Sequence, residues 1–227
     1  MAALFFMREI IEMLEEYVTP NKIRVIEEVL AQRTRHLTVV LEDIYQDQNA
    51  SAVMRTCDCF GIQDQYVTQD LHDYNINPNV VRGASKWVTL HKYEREPESI
   101  NKCYADLKNK GYRIVGTTPD PNSASIHELD ITDRTAIVFG TEKRGMSDFA
   151  KQNADELVHI PMLGFTESFN ISVSAALIMS DLSHRLRKTE IDWSLKLSEK
   201  DELKYEWYKR IVKGSDLLIN NYLKEHS

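Results

Sequence analysis

Cysteine is scarce in this chain, and its scarcity argues against two kinds of protein. The sequence contains three cysteines, Cys57, Cys59 and Cys103. An odd number without a framework spacing is not typical of a secreted scaffold held together by disulfides. Cys57 and Cys59 have no paired His or Cys cluster nearby, so a metal site is not expected there. The cysteines therefore predict reduced thiols, a cytoplasmic location and no bound metal.

Long apolar runs are also missing. None approaches the ~20 residues that a membrane helix needs, so no membrane partner is expected. The first residues, MAALFFMREIIEMLEEY, lack the basic stretch and the cleavage signal of a secretory leader, and they predict an amphipathic helix. Hydrophobic residues make up 42% and charged residues 28% of the 227-residue chain, as in ordinary globular proteins.

Positive charge is in deficit, because the formal net charge is −7. Domains that bind nucleic acids are usually basic, so the composition alone does not indicate such a partner. Basic residues still form local clusters, each of which, taken alone, is more often a solvated surface than a phosphate contact. These clusters are Arg33, Arg35 and His36; Arg82 and Lys86; Lys143 and Arg144; and Arg185, Arg187 and Lys188.

Two nucleotide-binding signatures are absent as well. The chain has neither GxxxxGK[ST] nor GxGxxG, so ATP and NAD have no support from motifs. A nucleotide-binding enzyme of the Rossmann type is therefore disfavoured.

What is present is an alternation of short β-rich runs and helical segments. The segment NASAVMRTCDCFG, residues 49–61, predicts a helix with Asn49 as its N-cap and Gly61 as its stop signal. Near-continuous apolar strands joined by helices predict an α/β fold, with a parallel sheet covered by helices on both faces. The predicted strands are residues 37–43, 64–69, 87–93, 112–118, 135–142 and 156–162, and residues 97–110 predict a helix that ends at Gly111.

The two ends of the chain differ from this alternating middle. Residues 3–17 and 20–33 predict helices, and residues 198–223 predict a helical tail that is interrupted near Gly214. We therefore expect an N-terminal helical extension over 1–34, a main domain over 35–190 and a C-terminal helical extension over 191–227.

Small, polar and turn-forming residues follow each of the last three predicted strands. RIVGTTPDPNSAS contains Thr117, AIVFGTEKRGMSD contains Gly140 and Glu142, and HIPMLGFTESFNIS contains Ser168 and Asn170. If these strands are neighbours, their loops meet at the carboxyl edge of the sheet, where ligands bind in folds of this kind. Backbone groups exposed in such turns can hold a small polar ligand, for example the edge of an adenine.

Arg55 is a second polar feature, in an otherwise apolar helix. An arginine there requires an acceptor. One interpretation is a salt bridge to an Asp or Glu. The other is a contact to a phosphate or a ribose, for which a planar guanidinium is well suited.

Three segments, in order, resemble the motifs of the SPOUT RNA methyltransferases. NASAVMRTCDCFGI resembles motif 1, IVFGTEKRGMSD resembles motif 2 with its G-x-E-x-x-G core, and IPMLGFTESFNISVSAALIM resembles motif 3. GASKWVTL, residues 83–90, is similar to a further segment between motifs 1 and 2. The resemblance covers about residues 20–190. Phe169 and Ile171 depart mildly from it, since they replace the usual Leu and Val by other apolar residues. The flanking helices are most similar to those of the TrmH family.

The resemblance implies a fold that composition could not predict, because knotted chains are rare. It implies a SPOUT-type sheet with a deep trefoil knot at about 114–180, formed by the loops of motifs 2 and 3. It also implies a homodimer whose RNA site is built from both subunits.

The implied reaction is methylation of a ribose 2′-hydroxyl in tRNA by S-adenosylmethionine, at guanosine-18 of the D-loop. Two alternatives stay open within the same superfamily: a guanosine 2′-O-methyltransferase that acts on ribosomal RNA, and an RNA-binding protein that has lost catalysis.

The resemblance also implies the site residues. Arg55 is implied as essential, either as the base or as a stabiliser of the developing alkoxide, since arginines in proteins keep their proton. The other residues implied in catalysis orient Arg55, the ribose and the cofactor, and they are Asn49, Glu142, Ser168 and Asn170. The residues implied in cofactor binding are Thr117, Gly140, Ile160, Met162, Leu163 and Ser168.

Overall fold

The computed structural model describes residues 2–94 and 99–226, with side chains from residue 6 onward. The chain divides into two compact units. One is the segment Thr34–Trp193, and the other combines Met1–Arg33 with Ser194–Ser227.

The described residues form helices and strands with the following bounds. The helices are α1 (Ala2–Glu15), α2 (Pro20–Gln32), α3 (Asp47–Phe60), α4 (Pro78–Val81), α5 (Ser99–Asn109), α6 (Asp148–Asn153), α7 (Ile171–Leu186), α8 (Leu197–Ile211) and α9 (Ser215–Glu225). The strands are β1 (Leu37–Glu42), β2 (Asp64–Thr68), β3 (Thr89–Tyr93), β4 (Arg113–Thr117), β5 (Ala124–Ser125), β6 (Thr135–Phe139) and β7 (Glu156–His159).

The strands of the larger unit form one seven-stranded sheet, in the order β3-β2-β1-β6-β4-β7-β5. Every neighbouring pair is parallel. Because β4 lies between β6 and β7, the carboxyl ends of these three strands meet at the same edge. The predicted α/β class is confirmed, and the last three long strands are neighbours, which was the condition for their loops to meet.

Each face of this sheet carries an apolar core. On one face α3 and α7 pack together, and their buried side chains include Val53, Met54, Ile178 and Met179. The other face is covered by α5 and its neighbours, with Leu107 among the buried residues. Strands such as β1 are buried along their whole length, which explains their near-continuous apolar sequence.

Helix α3 ends at the predicted residue but begins before the predicted one. Gly61 ends the helix with φ 74, a left-handed conformation that glycine adopts without a steric penalty, as predicted. The prediction that Asn49 is the N-cap is wrong, because Gln46 occupies that position. Asn49 lies inside the first turn and is buried, and its side-chain amide bonds to residues far away in sequence.

The smaller unit is helical. Its buried residues include Leu14, Leu30 and Trp207, and the guanidinium of Arg33 lies 5.5 Å from the centre of the Trp207 ring. The predicted interruption of the C-terminal tail is confirmed, since Gly214, with φ 73, separates α8 from α9. Among the described residues, no helix combines the length and the apolar character needed to cross a membrane.

Candidate active site at the carboxyl edge

Three side chains from three distant parts of the chain form a continuous hydrogen-bonded series at the carboxyl edge of the sheet. The Asn49 amide nitrogen donates to Glu142 Oε1 at 2.8 Å. The Asn170 amide nitrogen donates to Asn49 Oδ1 at 3.1 Å. Asn49 also donates to Gln46 Oε1 at 3.1 Å, so both its N–H groups and its carbonyl oxygen are used. We call Asn49, Glu142 and Asn170 the amide–carboxylate series.

Glu142 is placed by the turn that follows β6. Thr141 and Gly145 exchange backbone hydrogen bonds of 2.9 and 3.0 Å, which close the turn. A Cβ on Gly140 would lie 2.1 Å from the carbonyl carbon of Gly145, so only glycine fits where the turn folds back. Glu142 Oε2 is buried, and it has no hydrogen-bond partner in the described parts of the chain.

Asn170 is placed by the start of α7. Its Oδ1 accepts hydrogen bonds from the backbone N–H of Ser172 at 2.8 Å and from the Ser172 hydroxyl at 2.6 Å. This N-cap fixes the orientation of the Asn170 amide, because the oxygen must face the helix. The nitrogen is thereby directed to Asn49. The Asn170 side chain therefore both caps α7 and donates a hydrogen bond to Asn49 in the site.

Two of the predicted catalytic residues lie outside this series. Arg55 is exposed on α3, and it forms no hydrogen bond or ion pair with any described residue. The salt-bridge interpretation therefore has no partner in the structure, and the guanidinium is available to an external anion. Ser168 is exposed in the loop before α7, where no described residue contacts it through a hydrogen bond.

The predicted cofactor residues lie on the three loops that meet at this edge. The Thr117 hydroxyl donates to Val138 O at 2.9 Å, which ties the end of β4 to β6. Ile160 packs against the core at the end of β7. Met162 is partly buried, whereas Leu163 is fully exposed.

The loop over residues 162–169 is open. Its backbone N–H groups form no hydrogen bonds within the described part of the chain. Gly164 has no atom within 4 Å of the position of a Cβ, and Phe165 is fully exposed. A loop with free backbone donors and uncovered apolar side chains fits a function in covering a ligand that has polar and apolar parts.

Glu42, which none of the sequence motifs identified, supports the same edge. Glu42 is the last residue of β1, is buried, and its Oε2 accepts a hydrogen bond from the backbone N–H of Ser147 at 3.0 Å. Ser147 in turn caps α6. Burial raises the pKa of the Glu42 carboxyl above its ordinary value, and the hydrogen bonds from Ser147 oppose that rise. An acid within the apolar run LTVVLED was the available signal.

The described residues contain no group of His, Cys, Asp and Glu side chains that could hold a metal ion. The side chains at the edge include the amides of Asn49 and Asn170, the carboxyls of Glu42 and Glu142, and the exposed guanidinium of Arg55.

The family described as the SpoU rRNA Methylase family matches residues 36–180, from the start of β1 into α7. This chain belongs to that family. The matched range contains the amide–carboxylate series, Arg55 and the three loops. The family predicted from the three motifs is confirmed.

Individual members of the family match most of the chain. The chain is 42% identical over 210 residues to a tRNA (guanosine(18)-2′-O)-methyltransferase of Borreliella burgdorferi, which covers 92% of this chain and 94% of the relative. It is 32% identical to the enzyme of the same name from Thermus thermophilus, over 86% of this chain and 95% of the relative.

Solved structures of the family share the fold. The crystal structure of the A. aeolicus TrmH/SpoU tRNA modifying enzyme superposes with a TM-score of 0.75 at 29% identity, over 85% of this chain and 98% of that one. The SpoU methyltransferase AviRb from Streptomyces viridochromogenes, in complex with AdoMet, has a TM-score of 0.60 at 21% identity, over 72% of this chain and 62% of that one. At that identity the second likeness concerns the fold alone.

Proposed function

We propose that this chain transfers a methyl group from S-adenosylmethionine to a ribose 2′-hydroxyl of tRNA, at guanosine-18 of the D-loop. The observation that carries the proposal is the convergence of Asn49, Glu142 and Asn170 into one hydrogen-bonded series beside the three loops. The names of relatives that match along nearly their whole length support the choice of tRNA and of guanosine-18.

The residues at the edge fit the proposed cofactor. S-adenosylmethionine supplies an activated methyl group on a sulfonium, and the chain must bind and orient it. Open backbone groups at 162–169 suit the polar edge of an adenine, and Met162 and Leu163 suit its flat faces. Thr117, Gly140, Ile160 and Ser168 belong to the same loops, and we assign them to this site too.

Arg55 is proposed to act on the ribose. As the hydroxyl attacks, negative charge develops on its oxygen, and a guanidinium that is not already paired stabilises that charge. Arginines stay protonated in proteins, so we assign Arg55 the role of electrostatic stabiliser. Asn49, Glu142, Ser168 and Asn170 are assigned to orient the reactants, since holding two reactants in line supplies a large part of such rate enhancements.

The strand order supports the proposed trefoil knot at about 114–180. Strand β6 lies between β1 and β4 although β4 and β5 precede it in the chain, and β7 then lies between β4 and β5. Later strands inserted between earlier ones are compatible with the proposed knot. We assign residues 35–190 to the methyltransferase domain, and 1–34 and 191–227 to its helical extensions.

Helix α7 carries the surface that we assign to a homodimer. Phe169, Val173 and Leu177 follow one another at intervals of four residues and are 42%, 44% and 44% exposed. Val173 and Leu177, four residues apart, lie on one face of α7, and Phe169 lies in the loop just before the helix, while Ala175, Ile178 and Met179 face the core. Aligned exposed apolar residues at this spacing are typical of an interface. We call them the α7 stripe.

We further propose a cytoplasmic location, where tRNA and S-adenosylmethionine meet. The three cysteines are free thiols, which is consistent with a reducing compartment.

Transfer of radiolabelled methyl groups tests the function directly. The wild-type chain and Arg55→Ala are each incubated with labelled S-adenosylmethionine and either bulk tRNA or ribosomal RNA. We expect label on tRNA at guanosine-18, reduced by roughly 100-fold or more in the variant because removing a donor to a developing oxyanion costs that much. Label on ribosomal RNA alone would overturn the assignment of tRNA as the substrate. Binding of S-adenosylmethionine without transfer of label to either RNA would overturn the assignment of catalytic activity.

A further inference from the structure

An exposed aromatic ring is held in place beside the amide–carboxylate series. Tyr45 lies in the connection between β1 and α3, and 64% of its surface is exposed. The next residue, Gln46, accepts the hydrogen bond from Asn49. Tyr45 is therefore joined through one peptide bond to a residue that contacts the proposed site.

The Tyr45 ring is oriented by His72. The two rings meet edge to face, with centres 5.0 Å apart and planes at 76°. Such T-shaped contacts are favourable because the positive edge of one ring faces the negative face of the other. His72 comes from the connection after β2, so the contact joins two loops at the same edge of the sheet.

His72 is itself fixed by Asp43. Asp43 Oδ1 accepts hydrogen bonds from the backbone N–H groups of Leu71 and His72, both at 2.8 Å, and its Oδ2 accepts from His72 Nδ1 at 3.0 Å. Asp43 adopts φ 49, a left-handed conformation that is uncommon for residues other than glycine. Asp43, in a strained backbone conformation, therefore fixes the loop of His72, and His72 orients the ring of Tyr45.

This arrangement costs strain and yet leaves the aromatic surface uncovered. A tyrosine that served only to fill the core would be buried, and its hydroxyl would have a partner. The Tyr45 hydroxyl forms no hydrogen bond across the described ranges. A ring that is fixed in orientation and open on its surface is suited to stack against another flat, unsaturated group.

We propose that Tyr45, held by His72 and Asp43, stacks against a nucleobase of the RNA substrate next to the ribose that is methylated. This inference rests on the proposed function and adds a recognition contact to it. A ribose hydroxyl inside folded RNA becomes accessible when its nucleotide leaves the stack, and proteins receive unstacked bases on aromatic side chains. A base has a flat face whatever its identity, so Tyr45 contributes affinity and not sequence choice.

Matched variants test the stacking contact. Tyr45→Ala removes the ring, Tyr45→Phe keeps it, and Tyr17→Ala is the control because Tyr17 is a similarly exposed tyrosine in the other unit, at 58%. The measurements are the Kd for an unmodified tRNA transcript, the KM for the same transcript, and the Kd for S-adenosylmethionine. Gel filtration of each variant reports its association state.

We expect Tyr45→Ala to weaken tRNA binding and raise its KM by roughly tenfold, which is the usual effect of removing one stacking platform. Tyr45→Phe and Tyr17→Ala should bind tRNA as the wild type does, and the affinity for S-adenosylmethionine should not change.

Replacing the target nucleotide and its two neighbours, one at a time, by abasic residues identifies the stacked base. At one of these positions the abasic transcript should bind the wild-type chain more weakly than the intact transcript does. Tyr45→Ala should bind that abasic transcript and the intact transcript with equal affinity.

Several results would overturn the inference. Unchanged tRNA binding by Tyr45→Ala in an active enzyme would exclude the stacking contact and leave the proposed function intact. A variant that loses affinity for S-adenosylmethionine or changes its association state would show a structural or protein-binding role instead. A wild-type chain that does not bind tRNA would overturn both proposals.

Discussion

At the scale of single residues, the side-chain amide of Asn49 forms hydrogen bonds to the other members of the amide–carboxylate series. Asn49 donates to Gln46 and Glu142 and accepts from Asn170, so its orientation depends on three elements at once. An amide suits this position because it offers donors and an acceptor on one short side chain. Neither aspartate nor alanine could satisfy all three partners.

Asn49→Ala tests this interpretation. The substitution leaves the Glu142 carboxylate without its remaining partner, which costs about 1–3 kcal/mol for a buried polar group. We expect a loss of unfolding free energy of about that size, measured by urea denaturation, together with a strong loss of methyl transfer. Asn109→Ala, at an exposed position of the same unit, is the control. Equal stability of the two variants would contradict the bridging role of Asn49.

Two other basic residues from the predicted clusters form contacts within the fold. Arg185 donates to the carbonyl oxygens of Ile126 and Leu129, and it pairs with Asp181. The guanidinium of Arg187 lies 4.9 Å from the centre of the Trp193 ring, and burial lowers its pKa. Arg185 and Arg187 therefore stabilise the fold, whereas Arg55 is exposed.

At the scale of elements, the turn after β6 depends on a close backbone approach. A Cβ at position 140 would lie 2.1 Å from both the carbonyl carbon of Gly145 and the nitrogen of Met146. Backbone atoms cannot move aside as a flexible side chain can. The G-x-E-x-x-G pattern thus has a steric cause at its first glycine.

Gly140→Ala and Gly164→Ala form a matched pair. Gly164 lies in the loop before α7, where a Cβ would meet no atom within 4 Å, so we expect its alanine variant to keep the wild-type stability. Overpacking costs about 1–3 kcal/mol, and Gly140→Ala should lose at least that much and lose affinity for S-adenosylmethionine. Thermal denaturation and calorimetric titration measure both effects. Similar melting temperatures for the two variants would refute the steric argument.

Most elements could be predicted from local sequence, and the misses have physical causes. The six predicted strands exist, and five of them end one to three residues earlier than predicted, since turn residues such as Gly140 and Pro161 lie beyond the last paired residues. Strand β5 has two residues, Ala124 and Ser125, which is too short for any alternating pattern to show. The prediction of a helix over 97–110 is confirmed for Ser99–Asn109, while residues 97 and 98 lie outside the described ranges.

At the scale of the whole molecule, the α7 stripe would be covered by the second subunit of the proposed dimer. A second copy of the chain would bury Phe169, Val173 and Leu177, and Phe169 directly precedes Asn170 of the site. Dimerisation would thus place a second subunit beside the amide–carboxylate series. It would also bring together basic groups from two chains, which matters because the net charge is −7 and the proposed substrate, tRNA, is an anion.

Leu177→Glu tests the dimer. A charge within a buried apolar contact is costly to desolvate, so we expect the variant to sediment as a monomer and to lose methyl transfer. Leu217→Glu is the control, because Leu217 is 67% exposed on α9 in the other unit. Analytical ultracentrifugation distinguishes the two states. A dimeric Leu177→Glu variant would place the interface elsewhere, and a monomeric wild type would overturn the proposed homodimer.

The α/β class, the helical ends, the family and the loops where polar residues gather could all be predicted from the amino-acid sequence. These properties depend on local patterns: apolar runs, cap and stop residues, and motifs of a few residues. Which side chains meet at the site depends on the folded chain, because two of the partners of Asn49 lie 93 and 121 residues away. Strand order, the space available at Gly140 and the support of Tyr45 by His72 likewise depend on contacts between segments that no local pattern specifies.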